Sequence, residues 1–532
     1  MTQVAEPETP SPEAQPPDRE LPEHVRIAIV GAGFSGLALA MRLLEEGIDD
    51  FVVLERDEDV GGTWRDNTYP GCACDVPSHL YSWSFELNPD WSRTYSRQPE
   101  IREYIRRSTE KRGVMPYIHF GHDVRDARWS DADGRWQIET SRGRLTSQFL
   151  VAAMGPMSAP SWPDIPGLDS FEGTIFHSGR WNHDHDVTGE RVAAIGSGAS
   201  AIQFVPKIQP DAARVKVFQR TAPWILPRTD RATRRFERRL YRRFPALQKI
   251  ARTLIYWRQE LLVPGLVTEP RILKVLEWVA RAHLRKSVSD RQLRERLTPN
   301  FRLGCKRILV SSDWYPALGQ DNVDVVTEGI EEVRARSIIT EDGNEHEVDT
   351  IILGTGFSVT DMMGAERVHG RDGRSLSELW QGSPQAYLGT TIAGYPNLFF
   401  LVGPNLGPGH TSVVFYAESQ VAYVLDALRR LDEARASAFD VRRDVQEAYN
   451  GALQERMRGS VWTDGGCNSW YIDKTGKNTT LWPGFSWELR LRTRRFKVAD
   501  YRLERVSLEG AAANGAASNG TAPAREAEAA AA

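Results

Sequence analysis

The sequence predicts an α/β fold in which one chain builds two doubly wound βαβ units, one inserted within the other, with an added helical stretch. Three observations predict it. Two glycine-rich loops, Gly31-Ala32-Gly33-Phe34-Ser35-Gly36 and Gly196-Ser197-Gly198-Ala199-Ser200-Ala201, lie 165 positions apart. Each follows a short apolar run and precedes a stretch of helical periodicity. Charged residues of opposite sign, Glu55 and Arg220, stand 24 positions after the first glycine of each loop.

The elements follow in order. Val25–Val30 reads as a buried parallel strand, Leu37–Glu45 as a helix and Phe51–Leu54 as the second strand. Gln148–Gly155 closes this unit, and Pro156, Pro160, Pro163 and Pro166 mark a crossover. Arg191–Ile195, Ala201–Ile208 and Val215–Phe218 repeat the frame around the second loop. Val348–Gly356 mirrors 148–155 and predicts a return to the first unit. The expected organisation is therefore a disordered tail (1–22), the first unit (23–155 and 346–508) and the second unit (156–229 and 301–345). A helical insertion (230–300) and a second loose tail (509–532) complete it.

Glycines let the backbone turn tightly and approach a pyrophosphate, whose charge meets the free N–H groups of a helix start. A carboxylate after the second strand accepts hydrogen bonds from a ribose 2′-OH, whereas a guanidinium there suits a 2′-phosphate. Gly31, Gly33, Gly36 and Glu55 therefore point to FAD, and Gly196, Gly198, Ser200 and Arg220 to NADPH. The predicted fold is a pair of Rossmann-like dinucleotide-binding domains, the NADP domain inserted in the FAD domain. Two such cofactors on one polypeptide imply redox chemistry.

Composition bounds the rest. The 532 residues are 41% hydrophobic and 26% charged, ordinary for a globular chain of several domains. A net charge of −4 excludes a general nucleic-acid binder. No apolar run is long enough to span a membrane and the start lacks the pattern of a signal peptide, so a cytoplasmic location is expected. Cys72, Cys74, Cys305 and Cys467 form no CxxC pair and no zinc-ligand spacing; reduced structural thiols and no metal are expected. Within the insertion, Arg231, Arg234, Arg235, Arg238, Arg239, Arg242 and Arg243 crowd together while Phe236, Leu240, Phe244, Leu247, Ala251 and Leu254 recur at helical spacing. Three readings stand: a solvated basic face, a peripheral contact with an anionic membrane, or nucleic-acid binding.

Before the second loop stands Phe171-Glu172-Gly173-Thr174-Ile175-Phe176-His177-Ser178-Gly179-Arg180-Trp181. The spaced set Phe171, Gly173, His177 and Trp181, flanked by both dinucleotide loops, resembles the fingerprint of type I Baeyer–Villiger monooxygenases; Asn182 departs from the Pro or Asp expected next. Other segments carry the likeness over about 25–500. Val60-Gly61-Gly62-Thr63-Trp64 resembles the family's flavin-covering segment, and Tyr69–Asp75 the loop ending in an active-site Asp. Cys305-Lys306-Arg307 resembles its Lys-Arg pair, and Gly354-Thr355-Gly356-Phe357 its ATGF-like strand end, with Gly354 for Ala. Gly403-Pro404-Asn405 resembles a loop beside the flavin. Asn468-Ser469-Trp470 resembles a mobile loop whose Trp closes over NADP.

The resemblance implies that NADPH reduces FAD, that O2 adds to form a C4a-peroxyflavin, and that this attacks a ketone to give an ester or lactone. It implies that Arg307 supplies the permanent positive charge, with Asp75 its partner, since a buried guanidinium keeps its proton and an uncompensated one is costly. Arg220, Thr221 and Lys306 would clamp the 2′-phosphate, while Gly62, Thr63, Trp64 and Asn405 would contact FAD. His177 would either link the two domains or assist the chemistry. The segment Gly407–Ser412 is expected to open a helix aimed at the flavin. An N- or S-oxygenating flavin monooxygenase is the competing enzyme, disfavoured by Trp181 and the Asp75–Arg307 pair. A non-oxygenating NADPH-linked flavoprotein redox sensor is the competing class. A small-molecule ketone and O2 are the expected partners.

Overall fold

The computed structural model describes residues 20–505 apart from Pro156 and 359–363. The tail expected at 509–532 and all but the end of that at 1–22 lie outside the described residues. His24–Val30 pairs in parallel with Phe51–Leu54 on one side and Gly143–Ala152 on the other. Val25, Ile27, Ala28 and Ile29 are all buried, because helices and loops cover both faces of this sheet; the strand therefore reads as a continuous apolar run and does not alternate. Phe34–Glu45 and Val413–Ala434 pack together on one face. Antiparallel strands Val124–Ser130 and Arg135–Thr140 extend the sheet beyond Gly143–Ala152.

The second sheet has five parallel strands, in spatial order Val323–Val326, Arg214–Phe218, Arg191–Ile195, Thr350–Leu353 and Thr174–His177. This corrects one expectation. Thr350–Leu353 pairs with Arg191–Ile195 and Thr174–His177 and so belongs to the second sheet; it does not return the chain to the first. Its likeness to 148–155 reflects the same job in each unit: a strand beside the glycine loop whose end crowds the first glycine. A Cβ on Gly31 would meet the Ala153 carbonyl oxygen at 2.7 Å, and one on Gly196 the Gly354 oxygen at 2.4 Å. Both glycines also take left-handed φ, +107° and +115°. The chain rejoins the first sheet later, at Val368–His369 and Leu398–Phe400.

The insertion is helical. Arg235–Arg243, Pro245–Glu260, Lys274–Ser287 and Arg291–Arg296 are its α-helices. Pro245–Glu260 lies against the first unit through Gln248, whose amide donates to the Asn88 carbonyl at 2.7 Å, and through buried Arg252, which donates to the carbonyls of His79, Leu80 and Ser82.

The expectation of four free thiols is also corrected. Cys305 and Cys467 are joined as a disulfide across 162 residues. Both halves lie in irregular chain, where spacing carries no signal of contact. Cys72 and Cys74 are free and buried, and burial pushes both thiols up, Cys72 to about 12, which leaves them unreactive.

Candidate active site

Each glycine loop opens onto space that a ligand would fill. In the first, a Cβ on Gly36 would meet the Gly31 oxygen at 2.1 Å, so this glycine lets helix and loop close together. A Cβ on Gly33 would meet nothing nearer than the Gly62 Cα at 3.9 Å. The helix that follows has no side-chain cap, so its first N–H groups face that space. A cavity partly open to solvent runs from here, lined among others by Gly31, Gly33, Glu55, Gly62, Thr63 and Trp64. Val402 and Val413 close another side, where Ser412 caps the Val413–Ala434 helix by accepting from the Val414 N–H. The helix start thus lies at the cavity, as the Gly407–Ser412 signal predicts. Glu55 accepts from the Ala32 N–H at 2.8 Å and pairs with Arg65 at 3.1 Å, which fixes its carboxylate at the second strand's end. Arg65, missed in the sequence, is held among Glu55, Asp57 and Asp66. The open cradle at Gly33 and the uncapped helix start fit FAD.

The second loop repeats the cradle: a Cβ on Gly198 would meet nothing within 4 Å. Ser200 begins the Ala201–Ile208 helix, again without a side-chain cap. Beside this unit a pocket open to solvent is lined by Arg220, Thr221, Asn300, Phe301, Lys306 and Asn468, with Gly466 and Cys467. Three residues drawn from two distant segments, Arg220, Thr221 and Lys306, thus converge. Burial and the neighbouring Arg220 charge hold the Lys306 ammonium below its ordinary value. Among the described residues neither cation has an acidic partner. Two adjacent cations without a countercharge fit a phosphate, so this pocket suits the 2′-phosphate of NADPH.

Asp75 and Arg307 form a two-pronged ion pair, Arg307 Nε to Oδ2 at 2.7 Å and its terminal nitrogen to Oδ1 at 2.8 Å. Burial alone would raise the Asp75 carboxyl, but the charge and hydrogen bonds of Arg307, helped by Arg228, outweigh it and hold it below the ordinary value. Asp75 in turn drives the Arg307 pKa up against burial. Arg307 is therefore a permanent cation.

The loop that carries Asp75 is fixed from both units: in the first, the Cys74 N–H donates to the Ser96 carbonyl at 3.0 Å and the Cys72 carbonyl accepts from the Gln98 N–H at 2.9 Å. Gln203 on the Ala201–Ile208 helix accepts from the Ala73 N–H at 3.1 Å and donates to the Ala73 carbonyl at 3.0 Å. Gly71, at φ +81°, makes the close approach, since a Cβ there would meet the Gln203 oxygen at 2.7 Å. Arg228 donates to the Cys74 carbonyl at 2.9 Å. Neither Gln203 nor Arg228 carries a sequence signal for this role, because each acts through a loop distant in the chain.

The remaining candidates lie elsewhere. His177 is buried at the end of its strand; its Nδ1 accepts from the Gly179 N–H at 2.9 Å, which leaves the proton on Nε2. Burial lowers its pKa, so the ring is neutral, and it meets Phe357 edge-on at 5.7 Å, beside the strand end 354–357. It has no contact with the Asp75–Arg307 pair among the described residues, which favours the linking role. Trp181 packs on Phe176 and Phe204. Trp470 is 45% exposed and leans on buried Tyr471, next to the pocket residue Asn468. Asn405 lies three residues beyond Val402, which lines the flavin cavity. Its amide donates to the Asn478 carbonyl at 2.7 Å and the Leu481 carbonyl at 3.3 Å, which ties its loop to 478–481.

Comparison with known proteins decides the family. The family described as "Flavin-binding monooxygenase-like" matches residues 24–368. A Baeyer–Villiger monooxygenase of Streptomyces coelicolor is 51% identical over 484 residues, covering 91% of this chain and 93% of the relative. One from Pseudomonas aeruginosa is 48% identical, covering 90% and 92%. The chain belongs to the flavin-binding monooxygenases, in their Baeyer–Villiger branch. Among solved structures, this monooxygenase is similar to cyclohexanone monooxygenase from a Rhodococcus species bound to NADP+, with TM-score 0.81, 25% identity and coverage of 91% and 100%. An oxidised steroid monooxygenase bound to NADP gives TM-score 0.79, 29% identity and the same coverage. A complex titled OTEMO with FAD and NADP gives 0.80, 26% identity and coverage of 90% and 99%.

Proposed function

We propose that this monooxygenase uses FAD, NADPH and O2 to insert one oxygen atom beside the carbonyl of a small-molecule ketone, giving an ester or lactone, with Arg307 at the reaction centre. Bound FAD supplies the two-electron store and the activation of O2. The residues supply the rest. The Gly31–Gly36 cradle holds the FAD pyrophosphate and Glu55 accepts from its ribose; the Gly196–Ser200 cradle and the Arg220–Thr221–Lys306 pocket hold NADPH. Oxygen transfer to a carbonyl places negative charge on oxygen, and a fixed guanidinium stabilises it without reorganising at the moment of reaction. Asp75 neutralises Arg307 at rest and aims it, and the Gln203 bonds hold Asp75 in place. His177 positions the strand end at Phe357, and Trp470 closes over the coenzyme. Reliance on NADPH favours a cytoplasmic place of work.

The observation that carries this reading is the half-buried Asp75–Arg307 pair, built from both nucleotide units. The test is incubation of the purified holoenzyme with NADPH, ¹⁸O2 and a panel of cyclic, linear and aryl ketones. The expected product is an ester or lactone carrying one ¹⁸O. Oxygenation of amines with every ketone untouched would overturn the proposal in favour of the N-oxygenating reading.

A further inference from the structure

The Pro245–Glu260 helix is apolar on the wrong side. Its buried residues are polar, Gln248, Arg252 and Glu260 at four- and eight-residue spacing, beside half-buried Ile255 and Tyr256, which pack on the core. Glu260 accepts from the Ser486 N–H at 3.1 Å and contacts His410 Nε2 at 3.2 Å, adding to the Gln248 and Arg252 bonds described above. These bonds fix which side of the helix turns outward. That side is apolar: Leu247, Ile250, Leu254, Trp257 and Leu261 follow the i, i+3, i+7, i+10, i+14 spacing of a single stripe and are 38%, 54%, 66%, 52% and 76% exposed. A helix on a water-facing surface shows the opposite arrangement. The preceding Arg235–Arg243 helix packs against this one and adds exposed Phe236, Leu240 and Phe244 at i, i+4, i+8. An exposed apolar surface on this scale marks a docking face.

Charge selects the occupant. Residues 231–286 hold fifteen Lys and Arg against four Asp and Glu, although the whole chain is net negative at −4. Arg235, Arg239, Arg243, Lys249 and Arg258 are exposed and, among the described residues, have no acidic partner. Two copies of this chain meeting through the stripe would press these cations together, which disfavours self-association. Apolar side chains with a tryptophan, flanked by unpaired cations, match a bilayer surface: the apolar stripe enters the acyl boundary while the cations meet anionic headgroups. No helix among the described residues is long and apolar enough to cross a membrane, so the contact is one of lying on the surface.

We propose that the outer face of the 231–286 insertion docks this enzyme on the surface of an anionic lipid bilayer. The experiment is flotation of the FAD-loaded full chain with vesicles of phosphatidylcholine alone or with 30% phosphatidylglycerol, together with light scattering of the protein alone. The wild type is expected to float with the anionic vesicles and at least tenfold less with the neutral ones, and to detach at high salt. Leu254→Glu/Trp257→Glu/Leu261→Glu and, separately, Arg243→Glu/Lys249→Glu/Arg258→Glu should each reduce flotation at least tenfold. Vesicle-free NADPH turnover should persist in both, because all six side chains point to solvent. Absence of flotation of the wild type, or equal flotation of wild type and both variants, overturns the proposal. So does a wild-type dimer that the first variant converts to monomer, which would make the stripe an interface between copies.

Discussion

Arg220→Ala tests the coenzyme pocket most directly. Arg220 shares that pocket with Thr221 and Lys306, and it is exposed. A hydrogen bond to a charged group contributes roughly 1.5–3 kcal/mol net. Exposure places Arg220 in the lower part of that range, about 1.5–2 kcal/mol, or a loss of roughly 10- to 30-fold in affinity. A small part is offset, because Lys306, whose ammonium is held down by burial and by Arg220, no longer faces a like charge. The KM for NADPH should therefore rise by about tenfold or somewhat more, while the KM for NADH, which has no phosphate to lose, stays near wild type. Steady-state NAD(P)H oxidation measured with both coenzymes reads the difference. An equal rise for both would mean that Arg220 serves the shared parts of the coenzyme, and the phosphate assignment would fail.

Arg307→Ala should lower ester formation by about 10²–10³-fold, the usual effect of removing one preorganised donor, with FAD still bound and still reduced by NADPH; stopped-flow reduction and product mass separate the two, and near-normal ester formation would sink the role. Thiol titration of denatured, unreduced protein should find two thiols per chain, those of Cys72 and Cys74, and four after reduction; four at the outset would contradict the Cys305–Cys467 bond. Burial pushes the Asp440 carboxyl up to about 6 despite the hydrogen bond from the Gly394 N–H. A raised folded pKa means that the stability is fully present below the unfolded value near 4 and is lost as pH rises through about 6. Asp440→Asn keeps the acceptor and removes the charge. It should stabilise the fold at pH 8 by about 1–3 kcal/mol, the gain shrinking as pH is lowered toward 4 in thermal melts; a gain independent of pH would refute this reasoning.

Much of the fold was legible because its parts are local. The observed strands His24–Val30, Phe51–Leu54 and Arg214–Phe218 fall within a residue of the expected ones, and the helices after both glycine loops lie where the periodicity put them. The pattern at 350–353 points to the wrong sheet because both sheets use the same strand type, and a sequence repeat names a role without naming its owner. Arg220 and Lys306 were legible as candidates because their charge is visible in the chain, whereas Gln203 and Arg228 were not. The disulfide escaped, and the apolar series of the insertion was visible without its direction, for a related reason: contact and exposure are properties of the folded surface, and spacing alone reports neither. Asn405 lay in a recognisable segment, whereas its bonds to the 478–481 loop could not be read from spacing.

The Tyr69–Asp75 loop belongs covalently to the first unit but is gripped at Ala73 by Gln203 and at Asp75 by Arg307. It is also tied to its own unit, by the Cys74 N–H to the Ser96 carbonyl at 3.0 Å and the Gln98 N–H to the Cys72 carbonyl at 2.9 Å, and so bridges the two halves. Only Arg65 to Thr68 separate it from Trp64, which lines the flavin cavity. So short a tether has little slack, and displacement on the nicotinamide side pulls directly on the wall of the flavin chamber, a mechanical route by which seating one nucleotide reshapes the housing of the other.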